Sequence, residues 1–361
     1  MLKMKPKNIL IVKLSAIGDV VHSLPLLEVL HDHFPEAQID WLVEEEAGDI
    51  LRDHPAIARL IISRRKSWQK EFFKFKGLIG RFREIRDFLR RLRERKYDLV
   101  IDLQGLLKSG IWVGLARAQR KIGFTGGREG SRFFLTEPPF SVDYDQHALE
   151  RYLKTADFLG CNRKAWKGEI PVSPEDQRAV QILVEEWKEK TPNLVAINPM
   201  AKWSTKCWAP DRFTQLADRI RKELHGRVLF TGSAADRPLI ENIIAPLKEK
   251  PLNLAGRTNL KQLAYLYSQC RLLVSTDTGS MHIAAAMNCP IVALFGPTAP
   301  RRTGPYGKDH IILRDELACS PCFKKNCSHR NCMQNISVDR VFEAVKKLME
   351  NRNTRNNPSP T

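Results

Sequence analysis

Short β-branched runs recur along this chain with helical patterns between them, and that alternation restricts the fold more than any other feature. In the first half the runs fall at residues 8–13, 38–43, 59–62, 98–103 and 121–124. A second series follows the polar segment 171–192, at residues 194–197, 228–231, 271–275 and 290–295. Strands separated by helices imply parallel sheets with right-handed crossovers. A length of 361 residues exceeds what one hydrophobic core ordinarily serves, so two doubly wound parallel-sheet α/β domains are expected. Their expected bounds are 1–170 and 193–335, joined by a linker over 171–192. A helix over 336–350, with Val338, Val341, Phe342, Val345 and Leu348 on one stripe, could pack across the domain junction. Residues 351–361, rich in Asn, Arg and Pro, read as a disordered tail.

In such sheets ligands sit beyond the carboxyl ends of the strands. The loop at 14–19 is therefore expected to face the loops at 199–208 and 276–282 across a shared cleft. The most informative junction is VSTDTGSMHIAAA from Val274, where an apolar strand breaks into hydroxyl and acidic residues and resumes as a small-residue helix. The first N–H groups of a helix lack intrahelical partners, so Thr278, Gly279 and Ser280 can point donors at an anion such as a phosphate. Asp277 could orient the turn or accept a bond from a hydroxyl. Read alone, a plain helix cap is the commoner role for such residues.

Three further junctions fall on the same expected edge. In LSAIGD from Leu14, Gly18 allows a tight turn and Asp19 stands where a helix begins, either as a cap or as a carboxylate aimed at substrate. In PMAKWSTKCWAP from Pro199, Lys202 and Lys206 can offset phosphate charge, while Trp208 is expected to pack beneath the loop. In TGSAAD from Thr231, Asp236 could bind a ribose hydroxyl. Neither GxGxxG nor GxxxxGK[ST] occurs, which counts against hydride transfer and P-loop chemistry.

A formal charge of +18 points to an anionic partner, whether nucleic acid, phosphorylated substrate or acidic lipid. Segment 64–96 holds fourteen Lys or Arg against four acidic residues, over half of the excess. Within it Leu78, Phe82, Ile85, Leu89 and Leu92 recur at helical spacing among arginines. This is the pattern of a basic amphipathic helix on a bilayer, or equally of a domain helix with a core stripe. No apolar run approaches the roughly 20 residues of a membrane span, and Lys13 interrupts the first one, so a cytoplasmic location is expected. Cys319, Cys322, Cys327 and Cys332 are clustered, with spacing that loosely fits a structural zinc or iron site or a set of free thiols. A basic nucleic-acid-binding protein is the non-enzyme alternative, though no recognition helix or RNP-like aromatic pattern occurs.

Taken together the motifs resemble the ADP-heptose lipopolysaccharide heptosyltransferases of glycosyltransferase family 9. The resemblance rests on KLSAIGDVVHSLP from Lys13, DLQGLLKSG from Asp102, HALERY from His147, KCWAP from Lys206, TGSAAD from Thr231, STDTGSMHIAAA from Ser275 and FGPTAP from Phe295. It implies the GT-B architecture of two facing Rossmann-like domains, and DLQGLLKSG with HALERY is most similar to the heptosyltransferase I group. That likeness implies inverting, metal-independent transfer of heptose from ADP-heptose to a Kdo residue of the lipid A core. A heptosyltransferase II, or another family member using a heptosylated acceptor, is the alternative.

By the same resemblance Asp19 matches the family's catalytic base and Lys206 its donor-phosphate lysine. Asp277, Thr278, Gly279 and His282 match its ADP-heptose contacts, and Asp236 its ribose carboxylate. Ala201 and Lys202 stand where closer relatives place hydroxyl residues, so Lys202 would replace hydrogen bonds with charge. Ser15, Gly18, Arg64, Arg65, Lys66, Gln104, Lys108 and His147 are candidates for the acceptor side, with the cations on its carboxylate or phosphates. The cysteine cluster resembles a tail insert of the second heptosyltransferase group. No catalytic cofactor and no nucleic acid are expected. The enzyme is expected to be a monomer, peripheral on the inner face of the bacterial inner membrane.

Overall fold

A computed structural model describes residues 5–72, 78–162, 166–185 and 193–356. Parts of the expected linker (186–192) and of the expected tail (357–361) lie outside these residues, as does the side chain of Leu78. The chain divides into two compact units, Met1–Pro171 and Val172–Thr361.

The first unit is built on strands β1 (Asn8–Val12), β2 (Gln38–Glu44), β3 (Arg59–Ser63), β4 (Tyr97–Asp102) and β5 (Ala118–Gly123), in the order β3-β2-β1-β4-β5. All pairings are parallel, and the β1 register runs Asn8 against Gln38 and Ile9 against Leu99. Central strands covered on both faces must be apolar throughout. Ile9, Leu10, Ile11 and Val12 are accordingly fully buried. The helices that matter below are α1 (Ile17–Val21), α2 (Leu78–Glu94), α3 (Leu107–Leu115) and α4 (Ala148–Phe158).

Helix α5 (Pro174–Glu185) occupies much of the stretch expected as a linker. Asn259 Nδ2 donates to its Asp176 and Gln181 Nε2 donates to Tyr265. Val180 is its one buried residue, and Ile182 is exposed, so the sequence shows no clear apolar stripe. The second unit then carries β6 (Leu194–Asn198), β7 (Arg227–Phe230), β8 (Leu252–Asn253), β9 (Leu272–Thr276), β10 (Ile291–Phe295) and β11 (His310–Arg314). Their order is β11-β10-β9-β6-β7-β8, again all parallel. Strands β8 and β11 were not expected from the sequence.

Helices α6 (Pro210–Leu224), α7 (Leu260–Gln269), α8 (Gly279–Ala286) and α9 (Val338–Asn356) cover this sheet. Helix α9 runs six residues beyond its expected end, into the stretch read as tail. Its Val341, Phe342, Val345 and Leu348 join the core beside Phe213 and Ile220 of α6. Among the described residues no helix is long and apolar enough to cross a membrane.

Each sheet has one point where the chain reverses its direction of winding. In the first unit it lies between β1 and β4, in the second between β6 and β9. Loops leaving such neighbours diverge and open a crevice at the carboxyl edge. Asp19, Lys108, Lys206 and Asp277 follow β1, β4, β6 and β9 in turn, whereas Arg64, Arg65 and Lys66 follow β3, His147 follows β5 and Asp236 follows β7.

Candidate active site

At the second unit's reversal, Lys206 from the loop after β6 meets Asp277 from the loop after β9, Nζ to Oδ2 at 2.7 Å. Thr298 Oγ1 donates to the same carboxylate oxygen over 2.7 Å. Asp277 is thus a buried anchor for the lysine, a role its sequence position did not reveal. The Lys206 ammonium also sits 4.5 Å over the ring of Trp203. An ammonium carries three donors, and one of them serves Asp277.

Thr278 is the N-cap of α8 and Gly279 its first residue, so the helix N-terminus follows Asp277 directly. Asn198, at the end of β6, locks the arrangement by donating from Nδ2 to Thr231 Oγ1 and to Ser280 Oγ, both at 3.2 Å. Asn198 was missed in the sequence, and Thr298 was noted within FGPTAP but given no role, because both act only across the sheet edge. His282 is buried on α8. Asp236 Oδ2 accepts from Ser233 N at 2.7 Å and Ser233 Oγ at 2.6 Å, closing its own turn.

Lys202 is exposed and lines a cavity of about 490 Å³ together with Met200, Cys207, Trp208 and Met333. Trp208 packs as expected, edge-on to Phe213 at 5.0 Å with Nε1 donating to Ile336 O over 2.8 Å.

At the first unit's reversal, Asp19 is the third residue of α1. One carboxylate oxygen accepts from Tyr152 Oη of α4 at 3.1 Å, and the other from Ala16 N at 3.3 Å. Lys13 Nζ lies 3.9 Å from Asp19 Oδ2 and 4.8 Å from the Tyr152 ring centroid. Burial, the largest effect, pushes the Lys13 ammonium below its ordinary value, and the charge of Asp19 pulls it part of the way back. Burial and then the Asp19 charge hold the Tyr152 phenol well above its ordinary value, so it stays a hydrogen-bond donor. Gly18 does not turn the chain; it is the second residue of α1, and the turn lies before it.

The acceptor candidates gather around one buried carboxylate. Glu44, 2% exposed at the end of β2, meets Arg65 at 2.9 Å, Lys66 at 3.4 Å and Lys108 at 3.5 Å. Burial, its largest single effect, raises the Glu44 acid. The hydrogen bond from Arg65 and the charges of Lys108, Arg65 and Lys66 outweigh it and bring the net shift below the ordinary value. Lys108 Nζ also donates to Ser15 Oγ at 2.5 Å, and Gln104 Oε1 accepts from Leu14 N and Ser15 N. Arg64 lies apart from Glu44, paired with Glu45 at 3.2 Å and Glu84 at 3.5 Å. His147 is the N-cap of α4, its Nδ1 accepting from Leu149 N.

At the cysteine cluster, considered for a structural zinc or iron or for free thiols, the structure shows the thiols. All eight cysteines are free thiols, and among the described residues no group of three or more His, Cys, Asp or Glu is placed to hold a metal ion. Cys332 is packed into the second unit's core, while Cys322 N donates to Pro297 O at 3.0 Å and Ser320 Oγ to Gly296 O at 2.7 Å. Main-chain bonds and packing secure this loop.

The glycosyltransferase family 9 (heptosyltransferase) profile matches residues 85–333. The chain belongs to glycosyltransferase family 9. The family 9 chain is 35% identical over 358 residues to lipopolysaccharide heptosyltransferase 1 of Pseudomonas aeruginosa, covering 97% of this chain and 95% of the relative. It is 28% identical over 360 residues to the lipopolysaccharide core heptosyltransferase OpsX of Haemophilus influenzae, covering 95% and 97%. The crystal structure of the family 9 glycosyltransferase from Veillonella parvula superposes with a TM-score of 0.81 at 25% identity, covering 96% and 98%. Escherichia coli heptosyltransferase WaaC with ADP shares the fold, with a TM-score of 0.75 at 24% identity, covering 94% and 99%. Two Rossmann-like parallel-sheet units agree with the GT-B class, and heptosyl transfer in lipopolysaccharide core synthesis is the activity of this family 9 enzyme.

Proposed function

We propose that the enzyme moves heptose from ADP-heptose to a Kdo residue of a lipid A–Kdo acceptor by direct displacement with inversion. The observation that carries the donor half is the Lys206–Asp277 pair at the head of α8. An ammonium held in place beside a helix N-terminus is positive charge arranged before the diphosphate arrives. Full-length similarity to a heptosyltransferase 1 supports the Kdo acceptor.

In this reading the acceptor hydroxyl passes its proton to the Asp19 carboxylate while its oxygen bonds to the anomeric carbon. The bond from that carbon to the β-phosphate oxygen breaks on the opposite side, and ADP departs with the electron pair. The growing charge meets Lys206 Nζ, with Lys202 near it in the same loop, and the N–H groups of Thr278 and Gly279. These groups supply the charge a divalent ion would otherwise bring, so transfer proceeds without one. His282 and Asp236 complete the donor side. Arg65, Lys66 and Lys108, with Arg64, Ser15 and Gln104, receive the anionic sugar, whose carboxylate takes over part of the role Glu44 plays in the free protein. The enzyme works at the cytoplasmic face of the inner membrane, drawn to acidic lipid by its +18 charge.

The test is to incubate the protein with ADP-heptose and Kdo-lipid A and to follow ADP release and product mass. Release of ADP with a product one heptose heavier is expected. Product from a heptosylated acceptor alone would overturn the Kdo assignment.

A further inference from the structure

Helix α2 turns most of its described apolar stripe to the core and leaves little of it for a bilayer. Phe88 and Leu92 are buried, and Ile85 and Leu89 pack on the same core cluster, so this part of the stripe belongs to the unit's interior, while Phe82 is 64% exposed. The broader exposed apolar surface lies on the neighbouring helix. Leu107, Ile111 and Leu115 of α3 are 43%, 41% and 38% exposed, and their four-residue spacing sets them on one face. Trp112 of α3 meets Phe88 of α2 edge-on at 4.9 Å, which lays the two helices side by side.

A 3-10 turn, Ser131–Phe134, packs on α3, its Phe134 ring occupying the space that side chains at Gly110 and Gly114 would need. The next residue back, Phe133, is 77% exposed, with the Arg132 guanidinium 5.0 Å over its ring. Lys121 Nζ donates to Gly114 O at the end of α3. The outer face of α2 adds exposed Arg83, Arg86, Arg90 and Arg93. Nearby acids are Glu129, which accepts from Leu107 N, Glu137, which pairs with Arg120, and Glu84, Asp87 and Glu94 on α2.

We propose that the outer faces of α3 and α2, with Phe133, form a docking surface for an anionic lipid bilayer. Ile111, Leu115 and Phe133 enter the boundary between headgroups and acyl chains, and the arginines meet lipid phosphates. Protein–protein interface cores are depleted of charge, whereas this apolar stripe lies against an arginine-covered helix, the composition of an interfacial membrane surface. Lys108, one residue from the start of the stripe, reaches back to Ser15 and Glu44. Docking through α3 therefore sets the proposed acceptor cluster near headgroup level. The inference deepens the membrane-glycolipid reading, yet its test does not depend on that reading.

Co-sedimentation with phosphatidylcholine vesicles, with and without phosphatidylglycerol, tests it. The wild type is expected to bind the phosphatidylglycerol vesicles in a salt-sensitive manner, and Ile111→Ser/Phe133→Ser to partition about tenfold more weakly. Arg86→Ser/Arg90→Ser is expected to lose the phosphatidylglycerol dependence. All three proteins should turn over a deacylated, water-soluble Kdo acceptor equally, since these residues lie outside the proposed site. Equal vesicle binding by wild type and the apolar double variant overturns the proposal. So does a wild-type dimer that the double variant dissolves to monomer, which would assign the face to a second copy. Vesicle binding that behaves as expected, together with no turnover of any Kdo acceptor, would sink the acceptor assignment and leave the docking surface standing.

Discussion

Lys206 and Asp277 come from loops after two neighbouring strands and join at 2.7 Å, with Thr298 holding the carboxylate from a third loop. The lysine is therefore held in place before any ligand arrives, as the proposed diphosphate contact requires. Lys206→Ala is expected to raise the donor KM and to lower kcat by about 10²-fold, as removing one preorganised donor does in comparable sites. Steady-state ADP release and ADP calorimetry measure the two effects, and a variant equal to wild type would end the phosphate assignment. Thr298→Val leaves the lysine in place but loosens its anchor, so a smaller loss in the same direction is expected.

Asp19 receives a hydroxyl bond from Tyr152, a residue on a helix 133 positions away. A hydrogen bond to a charged group is worth about 1.5–3 kcal/mol. Tyr152→Phe is therefore expected to lower kcat by about tenfold or more, with both KM values unchanged, if the phenol orients Asp19 as the proposed base. Asp19→Asn should remove roughly 10²–10⁴ in rate while ADP affinity stays intact. A Tyr152→Phe change confined to KM would move the residue into substrate binding.

Much of this was legible because buried parallel strands are continuous apolar runs, as at residues 8–13 and 290–295, and because loop glycines and hydroxyls mark the strand ends. Strand β8 escaped notice because it is two residues long and follows Pro251, and β11 because its half-buried edge position does not demand an apolar run. The arginine-rich helix α2 was ambiguous for a physical reason: the same 3.6-residue period serves a core and a bilayer, and only the partner decides. The pairings themselves were invisible. Nothing in the sequence near Glu44 says that three cations converge on it, and nothing near Asp277 says that its partner lies 71 residues away.

The thiols differ in reactivity. Backbone N–H groups of Arg330 and then His329 bond to Cys327 and bring its thiol below the ordinary value, whereas burial, with Asp157 second, lifts Cys161 to about 11. Burial, then the neighbouring Cys322, Cys319 and Cys327, raises Cys332. Brief alkylation at about pH 8, where only a low-pKa thiol is substantially ionised, should label Cys327 ahead of Cys161 and Cys332 by mass spectrometry. Protection of all four clustered cysteines until a chelator is added would instead mean that a metal joins them.

Lys108 titrates early. Burial is the main cause of its lowered value, opposed by the charge of Glu44 and reinforced by Arg65. The acceptor KM should therefore climb at alkaline pH sooner than an ordinary lysine would dictate, as the site loses a positive charge. Lys108→Arg keeps its charge at every accessible pH, so it should move that limb upward. An alkaline limb unchanged by Lys108→Arg would separate this lysine from acceptor binding.

Glu44 gives the same cluster a pH dependence of opposite sign. Its folded value lies below that of the unfolded chain, so its contribution to stability is present above the ordinary glutamate range and disappears as pH falls through the folded value. Glu44→Gln leaves Arg65, Lys66 and Lys108 without their shared counter-charge. Breaking a fully buried pair costs about 3–5 kcal/mol, but the three cations are partly solvated, so a loss of roughly 1–3 kcal/mol at neutral pH is expected. The gap between wild type and variant in urea denaturation should close only in acid, as pH falls through the folded Glu44 value, which lies below the ordinary glutamate range. Added inorganic phosphate should narrow it at neutral pH by supplying the missing anion. A gap that persists in acid would mean that Glu44 stabilises the unit through packing, with its charge playing no part.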